Sequence, residues 1–367
     1  MTSENVSEYG RLTPMLAALE ALVRCESPTE DLDACRSVVR LASDIATRVL
    51  GTPAEIKEIE GRPVFWWGAQ NPQVVLLAHL DTVWPHGSYQ PLWEVKGDVV
   101  RGPGVFDMKA GFLQALYALK GIEGSVALIA TTDEETGSRA SRKLIVELAE
   151  NSKAVLVLEA SLDGKVKTGR KGTSMYQVHV HGLASHAGLE PEKGVNATTE
   201  IAHIILSLAS LENSEHGTTV VPTVLHSGKT TNTVPDYAVL EIDARSFSTA
   251  EQERIHAAIT TIAPVNPGAR IEVTGGINRP PLQPSSAAAL YERIEKVAAA
   301  IGMAPLGSAQ VGGASDGNIA AAAGAQVLDG LGAVGHGAHA PHEWVSAASL
   351  EPRTALLHAL IKDLLDD

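Results

Sequence analysis

Three short segments in the first half of the chain are apolar at nearly every position: residues 74–80, 126–132 and 154–159. Continuous apolar runs bounded by polar residues are typical of strands buried on both faces of a parallel sheet. Residues 108–119 and 138–149, which lie between these runs, instead repeat their apolar positions with the spacing of helices. This alternation of strand and helix predicts α/β layering.

The pattern changes near residue 172. Residues 174–181 alternate apolar and polar side chains with a period of two, as a half-buried strand does. Helix, strand, strand, helix and strand then follow at about 194–211, 219–227, 236–245, 249–262 and 270–276. The resulting βαββαβ order predicts a small α+β domain, ferredoxin-like, inserted at residues 173–279. The larger α/β domain would comprise residues 1–172 and 280–367.

Composition limits the classes of function. A chain of 367 residues is longer than one hydrophobic core usually serves, which favours two domains. Its formal net charge of −14 argues against a nucleic-acid partner. The sequence has no apolar run long enough to span a membrane, and its N-terminus lacks the basic and then apolar pattern of a signal peptide. We therefore expect a cytoplasmic protein.

Acidic and imidazole side chains stand where the predicted strands end. The set is His79, Asp81, Glu134, Glu135 and Glu159, joined by Asp107 at the start of a predicted helix. Sites in an open α/β sheet form outside the carboxyl ends of the strands, so we expect these side chains to converge. Clustered carboxylates repel one another and lose hydration, and a cation compensates for both. The pattern therefore predicts a metal site.

The types of ligand indicate which metals fit. Imidazole and carboxylate without thiolate suit zinc, with manganese or cobalt as substitutes. A shared carboxylate can hold two ions about 3.5–4 Å apart. In the pair Glu134-Glu135, one carboxylate can bind metal while its neighbour moves a proton.

Five separated motifs resemble those of the M20 family of two-zinc metallopeptidases, in the family's order. They are His79-Leu-Asp-Thr-Val83, Gly104-Val-Phe-Asp-Met-Lys-Ala-Gly111, Asp133-Glu-Glu-Thr-Gly137, Ala184-Ser-His-Ala-Gly188 and His339-Ala-Pro-His-Glu343. The resemblance covers nearly the whole chain. It implies an α/β catalytic domain with a mixed sheet flanked by helices, and a lid and dimerisation domain at residues 173–279.

The same resemblance implies roles for the residues at the strand ends. One zinc would be held by His79, Asp107 and Glu159, and the second by Asp107, Glu135 and His339. Asp107 would bridge the two ions, and its peptide bond to Met108 would be cis. Asp81 would orient His79, and Glu134 would be the general acid and base. His336 and His342 are alternatives to His339 because all three lie within seven residues.

Four residues of the other motifs resemble positions that contact the substrate. His186 would stabilise the oxyanion of the tetrahedral intermediate in the active site of a partner subunit. Asn232 and Arg245 would bind the substrate carboxylate, which an arginine can hold through two parallel hydrogen bonds. Gly313 belongs to a glycine-rich loop that would line the pocket.

The predicted reaction is hydrolysis of an amide bond next to a free carboxylate. The motifs are most similar to those of glutamate carboxypeptidase-like members, which favours release of a C-terminal glutamate through water activated by the metals and a glutamate general base. An N-acyl-amino-acid or amino-acid-conjugate deacylase is the alternative, and a non-catalytic metal-binding homologue is the third hypothesis. The expected substrate is a short peptide or an N-acyl amino acid, and the expected assembly is a homodimer through the lid domain.

Overall fold

The computed structural model describes residues 9–366 and divides them into two compact units. The first unit comprises the chain up to Gly169, Gln283–Val311, and the chain from Ser315 onward. The second comprises Arg170–Leu282 and Gly312–Ala314. No helix among the described residues combines the length and the apolar composition that crossing a bilayer requires.

Strands and helices are numbered in chain order. The strands of the first unit are β1 (Glu55–Ile59), β2 (Arg62–Gly68), β3 (Val74–His79), β4 (Glu94–Lys96), β5 (Val99–Arg101), β6 (Val126–Thr131), β7 (Ala154–Val157), β8 (Val166–Arg170), β13 (Ser308–Val311), β14 (Val327–Leu328), β15 (Gly335–His336) and β16 (Trp344–Ser346). Its helices are α1 (Tyr9–Arg24), α2 (Leu32–Leu50), α3 (Ala110–Ala118), α4 (Arg142–Glu150), α7 (Pro284–Ala300), α8 (Asp316–Ala322) and α9 (Ala347–Leu365).

In the described part of the chain, the central sheet of the first unit has six strands in the order β1-β2-β6-β3-β7-β14. The three strands predicted from continuous apolar runs, β3, β6 and β7, are buried at every position. Strand β3 runs parallel to both β6 and β7, whereas β2 is antiparallel to β6. The predicted mixed sheet flanked by helices is confirmed.

The core of this unit forms where helices cover the sheet. Met15 and Leu19 of α1, Phe112 of α3 and Leu360 of α9 are buried together with Leu76 of β3. Burial of side chains of this size contributes about 1.5–3 kcal/mol each. The packed core therefore holds the carboxyl ends of β3, β6 and β7 in place.

Two features of this unit differ from the sequence-based expectation. The hairpin of β1 and β2 was not predicted, although its turn residues Glu60 and Gly61 have positive φ, as a two-residue hairpin turn requires. The helix predicted from residue 108 begins at Ala110 instead. Asp107 and Met108 have non-helical backbone angles because the preceding segment forms one wide turn.

The second unit has the predicted βαββαβ order. Its elements are β9 (Gly172–His181), α5 (Ala197–Leu208), β10 (Thr219–Ser227), β11 (Tyr237–Ser246), α6 (Thr249–Thr260) and β12 (Arg270–Arg279). The four strands form an antiparallel sheet in the order β10-β11-β9-β12. Tyr176 and Val178 of β9 pack with Ile201 of α5 and Ile259 of α6 in a separate core.

Candidate metal centre

Parallel strands bring several of the predicted site residues to one edge of the central sheet. His79 is the last residue of β3, Glu134 and Glu135 follow the end of β6, and Glu159 follows the end of β7. Because β3 is parallel to both neighbours, these carboxyl ends lie side by side. The sheet itself therefore assembles one imidazole and three carboxylates.

Two further residues complete the cluster from loops. Asp107 lies in the turn before α3, and its peptide bond to Met108 is cis, as the family resemblance implied. His339 lies in the loop between β15 and β16 and has a positive φ of 60°. The cluster thus joins parts of the chain more than two hundred residues apart.

Asp107 stands between the two imidazoles. Its Oδ1 lies 3.3 Å from His79 Nε2, and its Oδ2 lies 3.2 Å from His339 Nε2. On one side, His79 Nε2 is 3.6 Å from Glu159 Oε1. On the other, His339 Nε2 is 3.0 Å from Glu135 Oε2. Each oxygen of Asp107 therefore belongs to a different group of one histidine and two carboxylates.

This donor set fits a pair of divalent ions. Among residues 9–366, two trios bring potential ligand atoms within 4.8 Å of one another: His79, Asp107 and Glu135, and His79, Glu134 and Glu159. Imidazole nitrogens and carboxylate oxygens at this density are typical ligands for zinc, manganese or cobalt. Glu134 belongs to the second trio, so its carboxylate has the position of a potential metal ligand as well as that of a group that transfers protons.

The charged groups of the cluster shift one another's pKa values. Burial opposes ionisation of Asp107, but hydrogen bonds from His339 and His79 hold the pKa of its carboxyl well below the usual range. Hydrogen bonds to Asp107 and Glu135 raise the pKa of His339 to about 11. Burial and the charge of Asp107 raise the pKa of Glu135 to about 7. Protons on these groups thus balance the carboxylates, and a bound cation would displace them.

His79 is oriented by Asp81, which lies two positions later in the chain. Its Nδ1 lies 3.0 Å from the main-chain oxygen of Asp81 and 3.4 Å from Asp81 Oδ1. The main-chain oxygen can only accept, so Nδ1 carries the proton and Nε2 is left to face Asp107. Sequence reasoning had assigned this acceptor role to Asp81 without distinguishing its main-chain oxygen from its carboxylate.

The carboxylate of Asp81 has a second set of partners. Its Oδ2 accepts hydrogen bonds from Thr29 Oγ1 at 2.9 Å and from the main-chain N–H of Glu135 at 3.2 Å. Asp81 thus links the His79 end of β3 to the turn that carries Glu135. Thr29 was missed by sequence reasoning, because its segment lies before the first predicted strand and matches none of the motifs.

Glu134 and Glu135 begin a short 3-10 turn anchored by buried acids. The Oδ2 atom of Asp133 accepts the main-chain N–H groups of Ala140 and Ser141, at 2.8 Å and 3.2 Å. Ser138 donates to Asp316. These contacts leave Asp133 to shape the turn, while Glu134, which is 7% exposed, faces the cluster.

The carboxylate of Glu343 accepts four hydrogen bonds near the cluster. It is fully buried, and it accepts from the main-chain N–H groups of Gly104, Phe106 and Asp107 and from the indole of Trp84. Burial raises its pKa to about 7, against the effect of these donors. The sequence analysis gave this glutamate no role, since it appeared there only as the last residue of the fifth motif.

The three C-terminal histidines have different surroundings. His339 faces Asp107 and Glu135. His336 lies in β15 opposite Trp344, and His342 lies on the loop that follows His339. All three histidines are exposed, so the carboxylate contacts of His339 distinguish it rather than burial. The geometry therefore favours His339 over the two alternatives.

Four predicted substrate-contacting residues lie in the second unit. His186 is exposed, and its Nδ1 accepts the main-chain N–H groups of Gly188 and Leu189, each at 3.1 Å. A nitrogen that accepts carries no proton, so Nε2 is the ring nitrogen that can donate. The proton on Nε2 is available for donation to a ligand.

Arg245 and Gly313 lie near a common loop of this unit. Arg245 makes two parallel hydrogen bonds to Asp243, at 2.8 Å and 3.0 Å, and a third to the oxygen of Gly312 at 3.2 Å. The oxygen of Gly313 accepts from Arg170 at 3.0 Å. The main-chain oxygen of Asn232 accepts the N–H of Ala187, next to His186.

Comparisons with known proteins identify a peptidase family and several of its members. The model of the family described as "Peptidase family M20/M25/M40" matches residues 75–363. Carboxypeptidase G2 of Pseudomonas sp. (strain RS-16) is 31% identical over 328 residues, which cover 84% of this chain and 76% of that protein. Succinyl-diaminopimelate desuccinylase of Marinobacter nauticus is 25% identical over 386 residues, covering 96% of this chain and 99% of its own.

A solved structure shows that the fold is shared as well. A tripeptidase from Staphylococcus aureus superposes with a TM-score of 0.75 at 22% identity, over 97% of this chain and 99% of that one. The resemblance inferred from the five motifs is confirmed by the family match. The chain therefore belongs to peptidase family M20 and is a hydrolase of that family.

Proposed function

We propose that this hydrolase is a two-zinc carboxypeptidase that cleaves an amide bond next to a free carboxylate and releases a C-terminal amino acid, with glutamate favoured. The observation that carries the proposal is the position of Asp107, which offers one oxygen to each of two clusters containing a histidine. A bridging carboxylate of this kind is how proteins hold two ions close together. The similarity to carboxypeptidase G2 supports the choice of reaction.

The proposed ligands divide into two sets that share Asp107. His79 and Glu159 would complete one set, and Glu135 and His339 the other. Two bound zinc ions, or cobalt or manganese in their place, would polarise the scissile carbonyl and make the attacking water more acidic. The protein supplies the remaining chemistry.

Glu134 is the proposed general base and general acid. Its carboxylate would take a proton from the attacking water and return it to the nitrogen of the leaving amino acid. Its burial and its position within 4.8 Å of potential ligand atoms of His79 and Glu159 support this role. A carboxylate placed there can reach water held against the cluster.

Residues of the second unit would bind the substrate. His186 would donate a hydrogen bond from its Nε2–H to the carbonyl oxygen in the active site of a partner subunit as negative charge develops there. Arg245, oriented by Asp243, and Asn232 would bind the free carboxylate of the departing amino acid, and Gly313 would line the pocket. The hydrogen bonds that Nδ1 of His186 accepts support its role as a donor through Nε2.

A deacylase is the second candidate. An N-acyl amino acid presents the same amide bond next to the same carboxylate, so the metal centre and Arg245 would act unchanged. The similarity to a succinyl-diaminopimelate desuccinylase favours this reading. The two candidates differ only in the group on the acyl side of the bond.

We also propose that the chain forms a homodimer through the second unit. Among residues 9–366, strand β10 pairs with β11 alone, and its residues 221–227 are exposed. An edge strand offers unpaired main-chain groups to a second copy. Light scattering would test this: the variant Leu225→Lys should shift the protein toward monomer, whereas Thr274→Lys on the opposite edge strand β12 should not. A monomeric native protein would contradict the proposal.

The decisive experiment is a substrate panel with and without metal. Peptidyl and N-acyl substrates ending in Glu, Asp, Gln, Ala, Phe or Lys are incubated with metal-stripped enzyme, zinc-restored enzyme and the variant Glu134→Ala. We expect zinc-dependent release of the amino acid, fastest for glutamate and lost in the variant. Preference for a simple acyl group over a peptidyl group would select the deacylase. Two tightly bound zinc ions without turnover of any substrate would reject both.

A further inference from the structure

Glu343 joins the two loops that complete the metal centre. Its Oε1 accepts the main-chain N–H groups of Phe106 at 2.8 Å and Asp107 at 3.0 Å. Its Oε2 accepts the N–H of Gly104 at 3.0 Å and the indole N–H of Trp84 at 3.2 Å. The carboxylate at position 343 thus accepts three main-chain N–H groups of the Asp107 loop.

The loop at Asp107 needs these acceptors. Gly104 is in the left-handed region, and Asp107 and Met108 have non-helical angles, so the N–H groups here do not enter a regular helix. A buried N–H without a partner costs about 1–3 kcal/mol. The carboxylate of Glu343 therefore accepts main-chain N–H groups that carbonyl oxygens would accept in a regular helix.

Glu343 is also part of the turn that follows His339. Its own N–H donates to the oxygen of Ala340 at 3.0 Å, and its main-chain oxygen accepts from Tyr89 at 3.1 Å. The N–H of Ala340 in turn donates to the oxygen of Gly337 at 2.9 Å. His339 is enclosed in this chain of hydrogen bonds, so its position depends on where Glu343 is held.

We propose that Glu343 is a positioning residue that sets the spacing between Asp107 and His339 and so determines how tightly the second metal ion binds. The proposal rests on the two-metal function above and deepens it. Asp107 Oδ2 and His339 Nε2 lie 3.2 Å apart and come from the two loops that Glu343 connects. Loosening this connection would affect the His339 side of the centre more than the His79 side, which is held by the sheet.

The test compares metal binding in the native protein and in Glu343→Gln. The amide keeps the size of the side chain but turns one acceptor into a donor that faces main-chain N–H groups. Loss of an outer contact of this kind typically lowers metal affinity by about 10–100-fold. We expect zinc measured by mass spectrometry to fall from two ions per chain to about one, and calorimetry to show weaker binding of the second ion. Added zinc should restore part of kcat, with KM for the substrate nearly unchanged.

Three further variants separate positioning from folding. Glu200→Gln is the matched control, because Glu200 is also buried and accepts two main-chain N–H groups, from Val265 and Asn266, in the second unit. It should lower the melting temperature without changing zinc content. Glu343→Asp keeps the charge and should lose less zinc affinity than Glu343→Gln. Trp84→Phe removes one donor only and should have the smallest effect.

The outcomes distinguish this proposal from the proposed function. If Glu343→Gln and Glu343→Asp both bind two zinc ions with native affinity, or lose zinc no more than Glu200→Gln does, the positioning role is overturned. Should Glu343→Gln fail to fold, zinc affinity in Glu343→Asp and Trp84→Phe decides the question in the same way. A native protein that binds two zinc ions but cleaves no substrate would reject the proposed function and leave the metal-binding test intact.

Discussion

The two compact units hold their predicted functional residues in different ways. In the first unit, the side chains of His79, Asp107 and Glu135 contact one another and are fixed by partners far away in the chain, such as Glu343. In the second, the exposed His186 and the partly exposed Arg245 are held largely by residues two or three positions away. The arrangement of side chains in the candidate metal centre of the first unit therefore depends on contacts across that unit, whereas the orientation of His186 and Arg245 in the second unit is largely local.

The two units should respond differently to amino-acid substitutions. A buried cluster of coupled charges loses its geometry when one member is removed. An exposed side chain held by its neighbours can be replaced without disturbing the core. We expect substitutions in the first unit to alter metal binding or chemistry, and substitutions in the second to alter turnover or substrate binding with metal content unchanged.

The largest effect is expected from Glu134→Gln. Removing the group that transfers protons should lower kcat by about 10²–10⁴-fold. Zinc content should stay near two ions if Glu134 acts on the proton alone, because the amide occupies the same volume. Steady-state kinetics and metal analysis measure both quantities, with Glu147→Gln on the exposed face of α4 as the control. Loss of zinc from Glu134→Gln would make Glu134 a ligand instead.

The next effect is expected from His186→Ala. Loss of one donor to a developing oxyanion costs about 10²–10³-fold in kcat. KM and zinc content should change little, because His186 is exposed in the second unit. The matched control is His203→Ala, which removes an exposed histidine from α5 of the same unit. An unchanged kcat would remove His186 from the mechanism, and a loss of zinc would break the distinction between the units.

The affinity of the candidate metal centre should depend on pH, because protons on His339 and Glu135 of the first unit compete with the metal. Between about pH 5.5 and 7.5 the metal-free protein carries a proton on His339, whose pKa is about 11, and partly on Glu135, whose pKa is about 7. Zinc displaces these protons, so the dissociation constant should fall by at least about tenfold per pH unit as pH rises. Calorimetry in buffers of different ionisation enthalpy measures the protons released. A pH-independent affinity would contradict this coupling.

The smallest effect is expected from Arg245→Gln. A charge-assisted hydrogen bond contributes about 1.5–3 kcal/mol, and exposure to water reduces this, so we expect KM to rise by about tenfold. Zinc content and melting temperature should be unchanged. Arg270→Gln, which removes an exposed arginine paired with Glu272 on β12, is the control. Equal KM values for both variants would exclude Arg245 from binding the substrate carboxylate.

Much of the fold was accessible from local patterns. Strands β3, β6 and β7 were predicted because residues buried on both faces must be apolar at every position. The second unit was predicted because β9 alternates between its two faces. The β1–β2 hairpin was missed because its turn, at Glu60 and Gly61, carries no Asn-Gly or Asp-Gly signal.

The candidate site was likewise predicted in part from the sequence. Sequence alone determined which residue types stand at the strand ends and in the five motifs, and this was enough to predict the fold class and the family. Only the tertiary structure decided which oxygen of Asp107 faces which histidine, that the main chain of Asp81 orients His79, and that Glu343 and Thr29 support the centre. Except for the contact of His79 with Asp81, these contacts join residues that are distant in the chain, through individual hydrogen bonds or ion pairs. Such bonds leave no periodic pattern in the sequence, because they need only one donor and one acceptor to meet when the core packs.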